Sequence, residues 1–183
     1  MSLSLPWISD EVQRLKKRFR VQSPQELCDA LHILILYSPM GTVPEACKGF
    51  TLCQDGVFVI SVNADMGEDM QKWVLAHETG HAVLHTALLR DHPLLDIHPF
   101  SMEHILEREA NLFAAEWLLD DADIMELVHD GHDFYAIASL LHVPPVLLAY
   151  KIQFLAGRGI SLLSPIPGCG DFLSALPLQV PET

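Results

Sequence analysis

Trp73-Val74-Leu75-Ala76-His77-Glu78-Thr79-Gly80-His81-Ala82-Val83-Leu84-His85 is the stretch from which the rest of the chain can be read. It holds His-Glu-x-x-His, a spacing with a mechanical meaning. Residues four apart lie on one face of an α-helix, so His77 and His81 can offer two imidazole nitrogens to one metal ion. Glu78, one position round, is poorly placed as a third ligand and well placed to reach a water on that ion as a general base. Met70, Trp73, Val74, His77, His81, Leu84 and Leu88 form a three-four stripe, which predicts a helix with both histidines turned toward the core. Buried imidazoles need partners, and this favours a metal over a chance match to a short pattern. Asp65 is expected to cap the helix, with Glu68 completing a capping-box-like pair. His85 continues the spacing, but about 12 Å of helix axis separates it from His77. It is expected to pack or to support a ligand, not to join the same ion.

A second constellation follows in Glu107-Arg108-Glu109-Ala110-Asn111-Leu112-Phe113-Ala114-Ala115-Glu116-Trp117-Leu118-Leu119, on a helix expected to start at a Ser101 cap. Glu107, Ala110, Asn111, Ala114 and Leu118 share one face. Alanines there allow another helix close enough for Glu107 to meet the two histidines as a third ligand, with Asn111 a turn further on hydrogen-bonded to a ligand. Glu109 is the chief rival for that place and Glu103 a more distant one.

The chain has 183 residues, half of them hydrophobic, which is enough for a real core. No apolar run approaches the roughly 20 residues of a membrane span. Residues 1–20 run into Arg14, Lys16, Lys17, Arg18 and Arg20 without the apolar segment of a signal peptide. Cys28, Cys47, Cys53 and Cys169 form no close pair and read as reduced thiols, so a cytoplasmic location is expected. Net charge is −13, and five of the eleven basic residues fall within Arg14–Arg20, read as the solvated face of a helix. The remaining acidic surface repels phosphate backbones and favours basic partners.

In chain order, helices are expected from Ser9 or Asp10, carried by Val12, Leu15 and Phe19, and from Ser23-Pro24. Ile33–Tyr37 reads as a buried strand. Lys48–Gln54 and Gly56–Asn63 read as a hairpin turned at Asp55-Gly56. The second of these strands, Val57–Val62, is the expected edge for holding an extended peptide beside the metal. Pro93 and Pro99 break the pattern between residues 87 and 100. Beyond Asp120-Asp121, short helices near 122–128 and 133–141 lead through Pro144-Pro145 into Val146–Leu155, a helix-turn-helix-like arrangement. Its last helix offers only Lys151 and Gln153 to a nucleic-acid groove, so it is expected to pack and not to bind DNA. Residues 1–156 are thus expected as one domain, with 122–156 its helical subregion and 157–183 a Gly/Pro-rich tail.

With both constellations in view, the chain resembles the ImmA/IrrE family of metallo-endopeptidases. The matching pieces are the Gly56–Asn63 strand, Ala76–Ala82 with its two histidines, Glu107–Ala115, and the helical module 133–155. The resemblance implies an α+β, zincin-like core: a small, mostly antiparallel sheet packed on the His-Glu-x-x-His helix, followed by a helical module. It also implies zinc (Zn2+) held by His77, His81 and Glu107, and substrates that are helix-turn-helix repressors controlling stress or mobile-element genes. The family often has Leu-Met-Pro where this chain has Leu119-Asp120-Asp121. The expected chemistry is peptide hydrolysis, with zinc activating water and Glu78 as the base. An oxyanion donor is also needed, and His132, Tyr135 and His142 qualify by residue type alone. Two other classes compete: a catalytically silent metal-binding module that sequesters a repressor, which has no use for Glu78, and a DNA-binding regulator, which the charge disfavours.

Overall fold

The computed structural model describes residues 4–43, 46–91 and 102–160. Helix α1 (Ser4–Phe19) begins well before the expected Ser9, because Ile8, fully buried, extends the apolar stripe of Val12 and Leu15 toward the N-terminus. Helix α2 (Pro24–Ala30) starts as expected. Ser23 Oγ accepts from the Glu26 backbone N–H, and the Glu26 carboxylate accepts from Ser23 N–H, so a full capping box holds the first turn.

Strands β1 (Leu34–Ser38), β2 (Gly49–Gln54) and β3 (Val57–Asn63) form a sheet ordered β1-β3-β2. The turn joining β2 and β3 has positive φ at Asp55 (52°) and Gly56 (81°), the backbone that a two-residue hairpin needs. Three expectations change here. The sheet is mixed and not mostly antiparallel: β2 runs antiparallel to β3, but β1 runs parallel to it, Leu34 facing Val59. β3 is therefore the central strand and not an edge, and the strand edge on the hairpin side belongs to β2. β1 is also not buried. Leu34 and Leu36 are each more than half exposed, because an edge strand receives cover from one neighbour only.

Helix α3 (Glu68–Leu84) packs on β2 and β3, and helix α5 (Met102–Leu118) packs on the other side of α3. A short helix α4 (Thr86–Asp91) follows α3, while α1 and helix α8 (Pro145–Gly157) lie against α5. Helices α6 (Asp121–His129) and α7 (Phe134–Leu140) complete the order. Sandwiched between sheet and helices, α3 is buried nearly all round at Val74–Ala76 and Glu78–Ala82. It contributes to each of three apolar clusters: Ala76 to the α6–α8 cluster, Val74, Leu75 and Ala82 to the sheet cluster, and Val83 and Leu84 to the α1–α2 cluster. Its N-cap is Gly67, not Asp65. The Asp65 carboxylate instead accepts from Gly41 N–H at 2.7 Å, so the expected capping box is absent.

The expected helical module is present as α6, α7 and α8, with α7 and α8 meeting at 109°. Lys151 is not offered to any groove: it is 2 % exposed and pairs with Glu116 and Asp121. Lys16, read as part of a solvated face, is half-buried and donates to the Trp117 carbonyl at 2.8 Å. Cys28, Cys47 and Cys53 are free thiols. Among the described residues no single helix is long and apolar enough to cross a membrane. The expected cap at Ser101, the Pro93–Pro99 loop, Cys169 and the tail from residue 161 lie outside the described residues.

Candidate metal centre

Two helices position the site, and small residues set their separation. A Cβ added to Gly80 would sit 3.1 Å from Phe113 Cβ and 3.2 Å from Ala110 Cα, so glycine on α3 and alanine on α5 permit the contact. At that separation His77 Nε2 lies 3.2 Å from one carboxylate oxygen of Glu107, and His81 Nε2 lies 3.2 Å from the other. The two Nε2 atoms are 3.1 Å apart. A tetrahedral ion with bonds of about 2.0–2.1 Å spaces its donors by roughly 3.3 Å. The donor set therefore fits such an ion, and its composition, two imidazoles and a carboxylate, is one that zinc accepts.

The electrostatics agree. Burial alone would lower the His77 pKa, but the Glu107 hydrogen bond and the Glu78 and Glu107 charges outweigh it and raise the value. Burial alone would raise that of Glu107, but the two imidazoles hold it far below the ordinary carboxylate range. The two shifts share one cause, the close approach of His77 to Glu107.

Each histidine is held by its other nitrogen. His77 Nδ1 donates to Asn111 Oδ1 at 3.0 Å, the contact expected for Asn111. His81 Nδ1 faces His85 Nδ1 at 3.0 Å, and His85 Nε2 lies 3.2 Å from Glu109 Oε2. Glu109 thus sits on His85 and not on the histidine pair. The Glu103 side chain falls outside those described.

Glu78 is 7 % exposed, and its Oε2 accepts from Thr51 Oγ1 at 2.8 Å. Thr51 lies on β2, where alternate residues Gly49, Thr51 and Cys53 share the face toward α3. Gly49 is needed where strand meets helix, since a Cβ there would come within 2.6 Å of Val74 Cγ1. Neither residue was singled out from sequence. The available signal was Gly-x-Thr at period two in the first strand of the hairpin that precedes the metal-motif helix. Asn63 was missed as well. Nearly fully buried, it donates to the Gly41 and Cys47 carbonyls and so holds the segment leading into β2.

A cleft of about 330 Å³ opens over the site, bounded by Lys48 and Gly49 on one side and by Trp73, Asn111 and Glu107 on the other. His132, Tyr135 and His142 are absent from its lining; His142 instead faces Asp69 at 3.6 Å.

Strand β2 thus flanks a candidate metal site of paired histidines and the half-exposed Glu107, with the buried Glu78 beside it. The IrrE N-terminal-like domain family matches residues 28–153, and the chain belongs to this ImmA/IrrE peptidase family. It is 27% identical over 148 residues to Metallopeptidase ImmA of Bacillus subtilis (strain 168), an alignment covering 80% of this chain and 84% of that protein. It is 26% identical over 148 residues to "Uncharacterized immunity region protein 2" of Bacillus phage phi105, covering 79% of this chain and 88% of the relative.

Proposed function

We propose that the protein is a zinc-dependent endopeptidase that cleaves a helix-turn-helix repressor, with zinc held by His77, His81 and Glu107 in a zincin-like core. The observation that carries this reading is the convergence of two imidazole nitrogens and two carboxylate oxygens at 3.1–3.2 Å beside the buried Glu78. When bound, zinc lowers the pKa of water and polarises the scissile carbonyl. Glu78, with Oε2 held by Thr51, keeps its other carboxylate oxygen for the water proton and returns that proton to the leaving amine. Among the described residues strand β2 pairs with β3 alone, so its other edge can hold an extended peptide across the cleft. An intact helix cannot use that edge, since its amides are already paired. The cut therefore falls in a loop or linker.

A net charge of −13 favours basic substrates, and DNA-binding repressors are commonly basic on the face that meets DNA. The phage relative's name, an immunity region protein, supports a regulatory target. The test is incubation with the repressor encoded nearest this gene, followed by mass spectrometry of the fragments. One cut in an interhelical or interdomain segment, abolished by a chelator, is expected. Glu78→Gln should keep its zinc and lose at least ~10²-fold in rate. Scattered cuts in any unfolded protein would mean a housekeeping peptidase. No cleavage by either form, with zinc bound, would favour a silent module that sequesters its partner.

A further inference from the structure

His85 and Glu109 lie behind the histidine pair and are not needed to complete its donor set, yet both are drawn into contact with it. His85 is the residue just past α3, its side chain 4 % exposed, and the Glu109 carboxylate is 17 % exposed. The chain of contacts is His81 Nδ1 to His85 Nδ1 at 3.0 Å, then His85 Nε2 to Glu109 Oε2 at 3.2 Å. A neutral imidazole carries one proton on one of its two nitrogens. With both imidazoles neutral, only one placement of protons satisfies the two contacts of this chain. Glu109, a carboxylate, can only accept, so His85 must carry its proton on Nε2. His85 Nδ1 is then a lone pair, and His81 must carry its proton on Nδ1 to meet it. That leaves the His81 Nε2 lone pair facing Glu107 and His77, where a cation needs it. The opposite placement would set the His85 Nε2 lone pair against the Glu109 charge and put a proton on the ligating nitrogen of His81.

We propose that Glu109 and His85 are positioning residues that select the metal-binding tautomer of His81 through a two-step hydrogen-bond chain. His77 is held in one step, by Asn111. His81 has no such neighbour at its Nδ1, and His85 extends the reach of Glu109 to it. Partners of this kind commonly change metal affinity 10- to 100-fold. The inference rests on His77, His81 and Glu107 being the ligands.

The test uses the whole chain, stripped of metal and titrated with Zn2+ against a chromophoric chelator, and with Co2+ followed by its visible absorption. His85→Phe keeps a flat aromatic ring, slightly larger, that cannot accept from His81, and Glu109→Leu removes the final acceptor. Each should weaken Zn2+ binding about 10- to 100-fold and alter the Co2+ spectrum, at metal-free melting temperatures near wild type. Glu109→Gln retains an amide oxygen that can accept, so it should recover most of the affinity lost in Glu109→Leu. The double variant should lose little more than either single one, because the chain works as a unit. Zn2+ affinities within twofold of wild type in both His85→Phe and Glu109→Leu would overturn the proposal. If His81→Ala then still lost zinc, the ligand reading would survive; if it kept zinc, that reading would fail too. Should a variant not fold, the long-range 15N–1H pattern of the imidazoles in wild type decides. Protons on His81 Nδ1 and His85 Nε2 support the chain, and the reverse pair refutes it.

Discussion

Glu107 and Glu109 stand two positions apart on α5, yet one faces the histidine pair and the other faces His85. A substitution at each should therefore read differently. Glu107→Gln removes a charged donor and should weaken zinc retention by an order of magnitude or more, measured by metal content after dialysis. Full zinc in Glu107→Gln with loss in Glu109→Gln would reverse the assignment of the third ligand. At this scale the sequence was informative where spacing encodes direction. His77, Glu78 and His81 could be placed because one helix turn fixes which side chains share a face. Thr51 could not, since its contact with Glu78 spans 27 residues and no local period predicts it. The Asp65 cap failed for a related reason, because the carboxylate has a distant competitor in the Gly41 amide.

Among the elements, the contact of α3 with α5 decides the site, and Gly80 is where it is tightest. Gly80→Ala would place a methyl within 3.1–3.2 Å of Phe113 and Ala110, closer than ordinary packing allows. Part of that clash is with backbone, so the helices must separate by a few tenths of an ångström. A stability loss of about 1–3 kcal/mol is expected, with a larger proportional loss of zinc affinity as Glu107 withdraws. Denaturant titration and metal competition on the same variant check both, and a variant with wild-type affinity would show that α5 moves freely. The closeness of these helices was legible from Ala110 and Ala114, and the hairpin from Asp55-Gly56. The strand order was not. A hairpin specifies its own antiparallel pair, whereas the parallel pairing of β1 with β3 is non-local, and a run such as Ile33–Tyr37 looks alike at an edge or a centre.

For the molecule as a whole, one ion cluster ties together α1, α5, α6 and α8. Lys151 reaches Glu116 at 2.7 Å and Asp121 at 2.6 Å, the latter a charge contact and not a well-directed hydrogen bond. Arg158 pairs with both carboxylates, and Ser9 donates to Glu116. Lys151→Met should destabilise by about 3 kcal/mol, the low end for breaking a buried pair because Arg158 still reaches Glu116. Burial alone would raise the Asp121 pKa, but Lys151 and Arg158 outweigh it and hold the value below the ordinary 3.8. A depressed carboxylate stabilises the fold above its unfolded pKa and loses that contribution as pH falls through the folded value. The melting-temperature advantage of wild type over Asp121→Asn should therefore be full at pH 6 and shrink below about pH 3.8. An advantage independent of pH would mean that packing and not charge is responsible. Finally, α3 packs into or against all three apolar clusters, so the segment that carries the histidines is tied to the whole core. An ion bound there stabilises the entire fold by mass action, by about 2.7 kcal/mol when free metal exceeds its dissociation constant a hundredfold. Melting temperature should climb with zinc concentration in wild type, and in Glu107→Gln the same climb should require at least about tenfold more zinc. In a cell short of zinc the chain would spend more time open and be degraded sooner, so that metal supply would set how much of the protein exists as well as how fast it works.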